Sequence, residues 1–283
     1  MKKLRIGIAQ LNTKDNISES FRTIAGLTGE IASRGADLAV FPEMSTYLSE
    51  LDISAAAQHL EDEVVSRFRE LAKKHKIYLH IGSFVEKSGR ESKVEAEGPG
   101  SRAFNTSVFI NPEGAIEAVY RKIHLFDIEL SDDLSYRESD RFLRGSEIVT
   151  HHSTLGDLGF SICYDLRFPE LYRSLALRGA KIIFVPSGFT LFTGKDHWEP
   201  LLRARAIENQ VYIIAPNQIG EHPVGKHCYG NSMIVDPWGK VIARASDRVE
   251  AVVANIDLDY VDDATGIDGL HIARKGISSA TDE

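Results

Sequence analysis

The sequence predicts an α/β fold of two similar halves, packed sheet on sheet with helices outside. Short apolar strand patterns alternate with helical patterns along the chain, and each half carries one antiparallel hairpin pattern. Four stretches of the first half also recur in the second. RIGIAQ pairs with LGFSIC around Gly7 and Gly159, RGADLAVFPE with RGAKIIFVPS, KIYLHIG with QVYIIAP, and FNTSVFINPEG with YGNSMIVDPWG. Their offsets are 152, 144, 134 and 125 residues, always in the same order. One match arises easily by accident, but four collinear ones do not. The period is too long for a solenoid, so the repeat implies an internal pseudo-two-fold relation.

In order, residues 4–11 alternate Leu4, Ile6 and Ile8 as a strand does. Ile17, Phe21, Ile24, Leu27 and Ile31 keep helical spacing, with Asp15 or Asn16 as cap and Gly35 as stop. Residues 37–41 form a short buried strand, stopped by Pro42 and followed at once by Glu43. A helix over residues 61–75 and a strand over residues 77–85 come next. Residues 86–102 are polar and contain Gly and Pro, which predicts a surface loop. Residues 104–120, turning at Asn-Pro-Glu-Gly, form a hairpin that delivers Arg121 and Lys122. Residues 123–148 are charged and irregular, too long for a plain connector, so they are expected to be functional cover.

An apolar run, residues 158–162, then reads as a buried strand that delivers Cys163 to its end. Pro169 stands where a first helical residue belongs, followed by Leu171 and Leu175. A thiol at such a corner is expected near the positive end of a helix dipole, which favours the thiolate. Strands over 182–185 and 211–215 flank a helix over 196–208; a hairpin over 233–243 and a strand over 251–256 follow. Residues 1–283 are expected to form one domain, with a core over 4–257 and a polar tail over 258–283.

Composition bounds the function. The 283 residues carry a formal net charge of −8, which argues against a general nucleic-acid or anionic-membrane binder. Apolar runs are far shorter than the roughly 20 residues of a membrane helix. No signal-peptide core follows Lys2 and Lys3, and the two cysteines, Cys163 and Cys228, fit a reducing compartment; a cytoplasmic location is expected. No glycine spacing fits a phosphate-binding loop. His151 and His152, adjacent on a strand, point to opposite faces and lack further ligands, so no metal and no cofactor are expected.

The halves differ where chemistry would require it: Pro42 precedes Glu43, whereas its counterpart Pro186 precedes Ser187. A cysteine nucleophile needs a base, and an attacked carbonyl needs a group that holds its oxyanion. Glu43 is a candidate base, its pKa expected to be raised by burial against apolar strands. Lys122 and the backbone N–H of Tyr164 are candidate oxyanion donors. Each has a plainer alternative: an inert buried thiol, a capping carboxylate, a solvated surface lysine.

FPEMS, YRKIHLFD and GFSICYDLRFPELYR, in that order, resemble the three signature segments of the nitrilase superfamily of carbon–nitrogen hydrolases. The resemblance runs over almost the whole chain and includes GKDHWEPLLRARAIENQVY and YGNSMIVDPWGK. It implies a four-layer αββα sandwich of two mixed sheets and a catalytic triad at Glu43, Lys122 and Cys163. Glu138, 16 residues beyond Lys122, would match an assisting glutamate, and Tyr164 would supply the oxyanion N–H. RKIHLFD, HWEPLLRARA and VDPWG look most like the ω-amidase and deaminated-glutathione amidase branch. The function so implied is hydrolysis of a small amide through a cysteine thioester, with release of ammonia and a carboxylic acid, by a homodimer or higher homo-oligomer. Arg167, Lys195 and Arg203 are candidates for a substrate carboxylate, and His197 and Trp198 for the pocket wall; Cys228 is expected to be structural. Two features depart from that branch: the longer 86–102 loop and a tail, GLHIARK, without the usual proline. The alternatives are a nitrile or N-carbamoyl amine hydrolase and a catalytically silent scaffold of the same fold.

Overall fold

The computed structural model describes residues 3–49, 53–88, 102–131, 134–223 and 226–261. The first half runs β1 (Lys3–Gln10), α1 (Ile17–Ser33), β2 (Leu38–Val40), α2 (Glu63–His75), β3 (Tyr78–His80), β4 (Phe84–Lys87), β5 (Ala103–Ile110) and β6 (Ile116–Arg121). A small hairpin, β7 (Asp127–Ser131) with β8 (Leu134–Arg137), and a short β9 (Phe142–Leu143) follow. The second half runs β10 (Thr150–Ser153), β11 (Gly156–Phe160), α3 (Pro169–Leu177), β12 (Ile182–Phe184), α4 (Leu191–Asn209) and β13 (Tyr212–Ala215). It continues with the hairpin β14 (Ile219–His222) and β15 (Lys226–Tyr229), the hairpin β16 (Met233–Val235) and β17 (Val241–Arg244), and β18 (Glu250–Asp257), which returns to pair with β1.

Both main sheets are mixed and repeat one order. In the first, β1, β2 and β3 are parallel, and β5 and β6 continue antiparallel. In the second, β11, β12 and β13 are parallel, and β16 and β17 continue antiparallel. The four matched sequence pairs fall on β1 with β11, β2 with β12, β3 with β13, and β5 with β16. The period-two alternation of strand side chains then sorts residues between layers. Ile6, Ile8, Leu38 and Val40 of the first sheet meet Phe160, Ile182, Phe184 and Ile214 of the second in one buried cluster. The outward residues pack under helices instead. Ala9, Ala39 and Leu79 lie with Phe21, Ile24 and Phe68 of α1 and α2, while Ile183, Val185 and Ile213 lie with Leu175, Trp198 and Leu202 of α3 and α4. The architecture is an αββα sandwich.

Three local expectations are corrected. The strand expected over 77–85 breaks into β3 and β4 because Gly82 adopts φ 72, with its Cα pressed against Pro42; a Cβ there would stand 1.9 Å from the Pro42 carbonyl oxygen. The loop expected from residue 86 starts later: β4 runs to Lys87, and Glu86 is buried with Arg121 on its carboxylate at 2.6 Å. Residues 89–101 lie outside the described residues, as does the tail from residue 262. Helix α4 starts at Leu191, not 196, because Thr190 caps it through Thr193 N–H and Gly194 seats directly on the Tyr229 ring.

Candidate active site

The corners after β2 and after β11 point into one cavity, whose lining includes Glu43, Asn105, Lys122, Glu138, Cys163, Tyr164, Arg167 and Gly188. Each polar member is fixed from behind. The Glu43 corner is laced to the broken β3–β4 strand: Met44 N–H donates to Ser83 Oγ at 2.9 Å, and Ser45 Oγ donates to the Ile81 carbonyl at 2.7 Å. Gln218 of the second half donates to the Glu43 carbonyl at 2.9 Å. Lys122 leaves β6 with its N–H on the Asn105 carbonyl at 2.9 Å, and its own carbonyl accepts Gly145 N–H at 2.8 Å.

Cys163 sits at φ 45, a left-handed conformation that an L-residue adopts only where its surroundings impose it. Its N–H donates to the Pro186 carbonyl at 2.9 Å. Asp165, fully buried, ties this turn to the lysine segment. It accepts Ile162 N–H at 2.8 Å, Tyr120 Oη–H at 2.6 Å and His124 N–H at 3.0 Å, and His124 Nδ1 lies 2.7 Å away.

At the centre, the Lys122 ammonium, only 2% exposed, bridges two carboxylates. Its Nζ lies 2.9 Å from Glu43 Oε1 and 2.9 Å from Glu138 Oε2. Asn105 Nδ2 donates to Glu43 at 2.8 Å and to Glu138 at 3.2 Å, and Phe126 N–H donates to Glu138 at 2.6 Å. The second oxygen of Glu43 accepts Gly188 N–H at 2.9 Å, and the Cys163 thiol is hydrogen-bonded to the same carboxylate.

The electrostatics reverse two sequence expectations. Burial raises the Glu43 pKa, but the Lys122 charge and the hydrogen bonds from Lys122, Cys163 and Asn105 outweigh it, so the carboxyl is held below its ordinary value. The thiol is not poised as a thiolate by a helix: the turn Cys163–Arg167 separates it from α3. Burial, and then the negative charge of Glu43, push its pKa well above the ordinary thiol value despite Lys122 and a Gly188 N–H. Lys122 stays protonated, because the charges of Glu138 and Glu43 overcome the burial that opposes them. The ground state is therefore thiol, carboxylate and ammonium.

The remaining candidates separate. Arg167 lines the cavity, its guanidinium lying 5.9 Å from the Tyr164 ring and 5.4 Å from the Phe189 ring. Lys195 and Arg203 do not line it; Lys195 pairs with Asp196, and Arg203 Nε donates to the Gly239 carbonyl at 2.7 Å. Trp198 is not a wall residue either: it is fully buried in the core under α4, its Nε1–H on the Asn231 carbonyl at 2.8 Å. His197 is exposed and touches Arg167 from outside, at 3.4 Å. Cys228, expected to be structural, lines the cavity. Sequence reasoning missed Asn105, Arg141, Asp165, Gly188 and His222. Asn105 and Gly188 lie within the repeated stretches or beside them, but nothing local marks them, since the Glu43 carboxylate they both bind is far away in the sequence. Among the described residues no cluster of three or more His, Cys, Asp or Glu has the arrangement of a metal site.

Comparison with known proteins places this geometry. The family model described as carbon–nitrogen hydrolase matches residues 5–265. A deaminated glutathione amidase of Dictyostelium discoideum is 39% identical over 270 residues, covering 92% of this chain and 90% of that protein. The nitrilase and fragile histidine triad fusion protein NitFhit of Caenorhabditis elegans is 37% identical over 263 residues, and the chain spans 57% of it. The NitFhit crystal structure matches with a TM-score of 0.86 at 35% identity, over 97% of this chain and 66% of that one. An amidase from Nesterenkonia, 25% identical, matches with a TM-score of 0.74 over 92% of this chain and 93% of that one; the matched structure is of a mutant that holds the acetamide moiety of fluoroacetamide covalently at the active-site cysteine. The chain belongs to the carbon–nitrogen hydrolase family of the nitrilase superfamily, and it is an enzyme that hydrolyses a carbon–nitrogen amide bond.

Proposed function

We propose that this enzyme cleaves the amide of a small carboxylate-bearing acid, of the ω-amide or deaminated-glutathione type, with Cys163 as nucleophile. The observation that carries the reading is the Lys122 ammonium held 2.9 Å from each of two buried carboxylates, one of them hydrogen-bonded to the Cys163 thiol.

Glu43 takes the thiol proton as the sulfur attacks the amide carbon. The developing O⁻ is held by the Lys122 ammonium and the Tyr164 N–H; each such donor contributes about 10²- to 10³-fold in rate. Protonated Glu43 passes its proton to the leaving nitrogen, the C–N bond breaks, and a thioester remains. Glu43 then deprotonates a water positioned with Glu138, the thioester is hydrolysed, and the proton returns to the sulfur. Arg167, the one of the three sequence-selected cations that lines the cavity, suits a substrate carboxylate as a planar bidentate donor. An ω-amide releases ammonia, whereas a deaminated-glutathione type of substrate releases an amine. A homo-oligomer working in the cytoplasm completes the proposed reading. Leu177, Ile207 and Trp238, 50%, 45% and 57% exposed, offer apolar contact area, and among the described residues no helix is long and apolar enough to cross a membrane.

The test is turnover of 2-oxoglutaramate, deaminated glutathione, an N-carbamoyl amine and a simple nitrile. It is followed by the carboxylate product, or by carbon dioxide for the carbamoyl amine, so that turnover is detected whether the leaving group is ammonia or an amine. The 2-oxo acid amides are expected to turn over and Cys163→Ala to abolish it. Preference for the nitrile or the carbamoyl amine overturns the substrate class, and full activity of Cys163→Ala overturns the nucleophile.

A further inference from the structure

The hairpin of β14 and β15 forms a wall of the cavity and brings His222 to it. His222 is 3% exposed, and its Nδ1 lies 2.8 Å from the Thr13 carbonyl oxygen. A carbonyl only accepts, so Nδ1 carries the proton, and a neutral ring then presents Nε2 as a bare acceptor. Nε2 is buried and has no hydrogen-bond partner among the described residues. A buried acceptor without a donor is a cost to the fold, and one on a cavity wall is explained by a bound group that donates to it. Burial, helped by the charges of Lys14 and His227, holds the ring below the ordinary imidazole pKa, so the acceptor form persists at neutral pH.

The same contacts place the ring on one flank of the site. Thr13 Oγ1 donates to the Ser45 carbonyl at 3.1 Å and accepts Gln218 Nε2 at 2.9 Å, and Gln218 also holds the Glu43 carbonyl. His222 is thus braced, through Thr13 and Gln218, against the corner whose carboxylate serves the leaving nitrogen in the mechanism above.

We infer that His222 Nε2 is a binding site for the amine portion of the substrate: it accepts a hydrogen bond from an N–H or O–H donor on the substituent of the leaving nitrogen. The inference rests on the proposed amidase reading and deepens it, since it selects N-substituted amides, whose amine portion carries its own donor, over primary amides. Pro223, His227, Cys228 and Thr193 line the same cavity, so the wall around His222 combines apolar and polar groups. The subsite suits an amino-acid-like or dipeptide amine, which brings an N–H donor together with apolar atoms.

The experiment compares kcat/KM for two substrates sharing one acyl group, 2-oxoglutaramate and its γ-amide with a dipeptide, in wild type, His222→Phe and His222→Gln. His222→Phe is expected to lower kcat/KM for the dipeptide amide at least about 10-fold more than for the primary amide, chiefly through KM. His222→Gln, whose side-chain oxygen can accept, is expected to restore much of that difference. Thermal melts and the rate of Cys163 alkylation by iodoacetamide report whether each variant remains folded. A parallel fall for both substrates, or an unchanged ratio, overturns the inference and leaves His222 a packing residue. Failure of wild type on both substrates overturns the amidase reading itself, which is a distinguishable result.

Discussion

At the residue scale the chemistry turns on where three protons reside. A free thiol is only a few per cent ionised at neutral pH, and burial next to Glu43 makes Cys163 harder to ionise still. The compensation is a base already ionised: the Lys122 charge keeps Glu43 below its ordinary carboxyl value, and the thiol is hydrogen-bonded to it. Proton transfer is thereby coupled to attack, with no free thiolate at rest. The sign of the pH dependence follows. The proposed mechanism requires ionised Glu43, so kcat/KM is expected to hold as the pH falls and to decline only as it passes below the ordinary carboxyl value of 4.5. With Glu43 taking the proton during attack, kcat/KM and Cys163 alkylation measured from about pH 5 to about pH 9 should both be nearly flat, whereas a thiol that has to ionise before it attacks would make them climb towards about pH 8.5 or beyond. Glu43→Gln should slow turnover about 10²- to 10⁴-fold.

At the scale of elements, the turn Cys163–Arg167 decides whether the nucleophile is in place. Asp165 fastens it with hydrogen bonds to Ile162, Tyr120 and His124, all reaching a carboxylate with no exposure. Asp165→Ala would leave several buried donors without acceptors, each costing about 1–3 kcal/mol. A loss of about 3 kcal/mol or more in unfolding free energy is expected from denaturant titration, together with at least about a tenfold lower kcat. An unchanged midpoint would show that the turn holds itself. Elements of this kind were only partly legible. The strands β1 to β3, β5, β6, β11 to β13 and β16 to β18, the helices α1 to α3 and both long hairpins follow from periodicity, caps and turn residues, whereas β7 to β10 and the hairpin of β14 and β15 do not. The break at Gly82 and the early start of α4 did not, because each glycine answers a distant contact, Pro42 in one case and the Tyr229 ring in the other. Asp165 and Asn105 look like ordinary polar residues until the sequence-distant groups they bind are brought to them, Tyr120 and His124 in one case, Glu43 and Glu138 in the other.

At the scale of the whole molecule, the internal repeat made the sandwich legible, since each half shows the same strand order and buries one face against the other. It also explains the position of the site. Glu43 follows β2 and Gly188 follows β12, the matched strand, so the two equivalent corners meet head to head and Gly188 N–H lands on the Glu43 carboxylate. Cys163 enters beside them from the neighbouring β11. Parallel strands deliver their carboxyl ends, with loops free to carry chemistry, to the same place. Glu43, Lys122 and Cys163, which the structure brings to one cavity, could be picked out as candidates because their motifs are local. The walls were not, because Arg141, His222 and Cys228 come from hairpins and turns without a counterpart in the other half. The proposed mechanism therefore requires both halves to be docked: its thiol comes from one and its base and oxyanion donor from the other.

The direct measurement is mass spectrometry of the enzyme quenched during turnover of 2-oxoglutaramate, with peptide mapping of the acyl adduct. The adduct is expected on Cys163, with the mass of the substrate less ammonia, absent in Cys163→Ala and formed far more slowly in Glu43→Gln. Turnover that proceeds with Cys163 unmodified and kinetically indifferent to Glu43, or an acyl group mapped to Cys228, would contradict it.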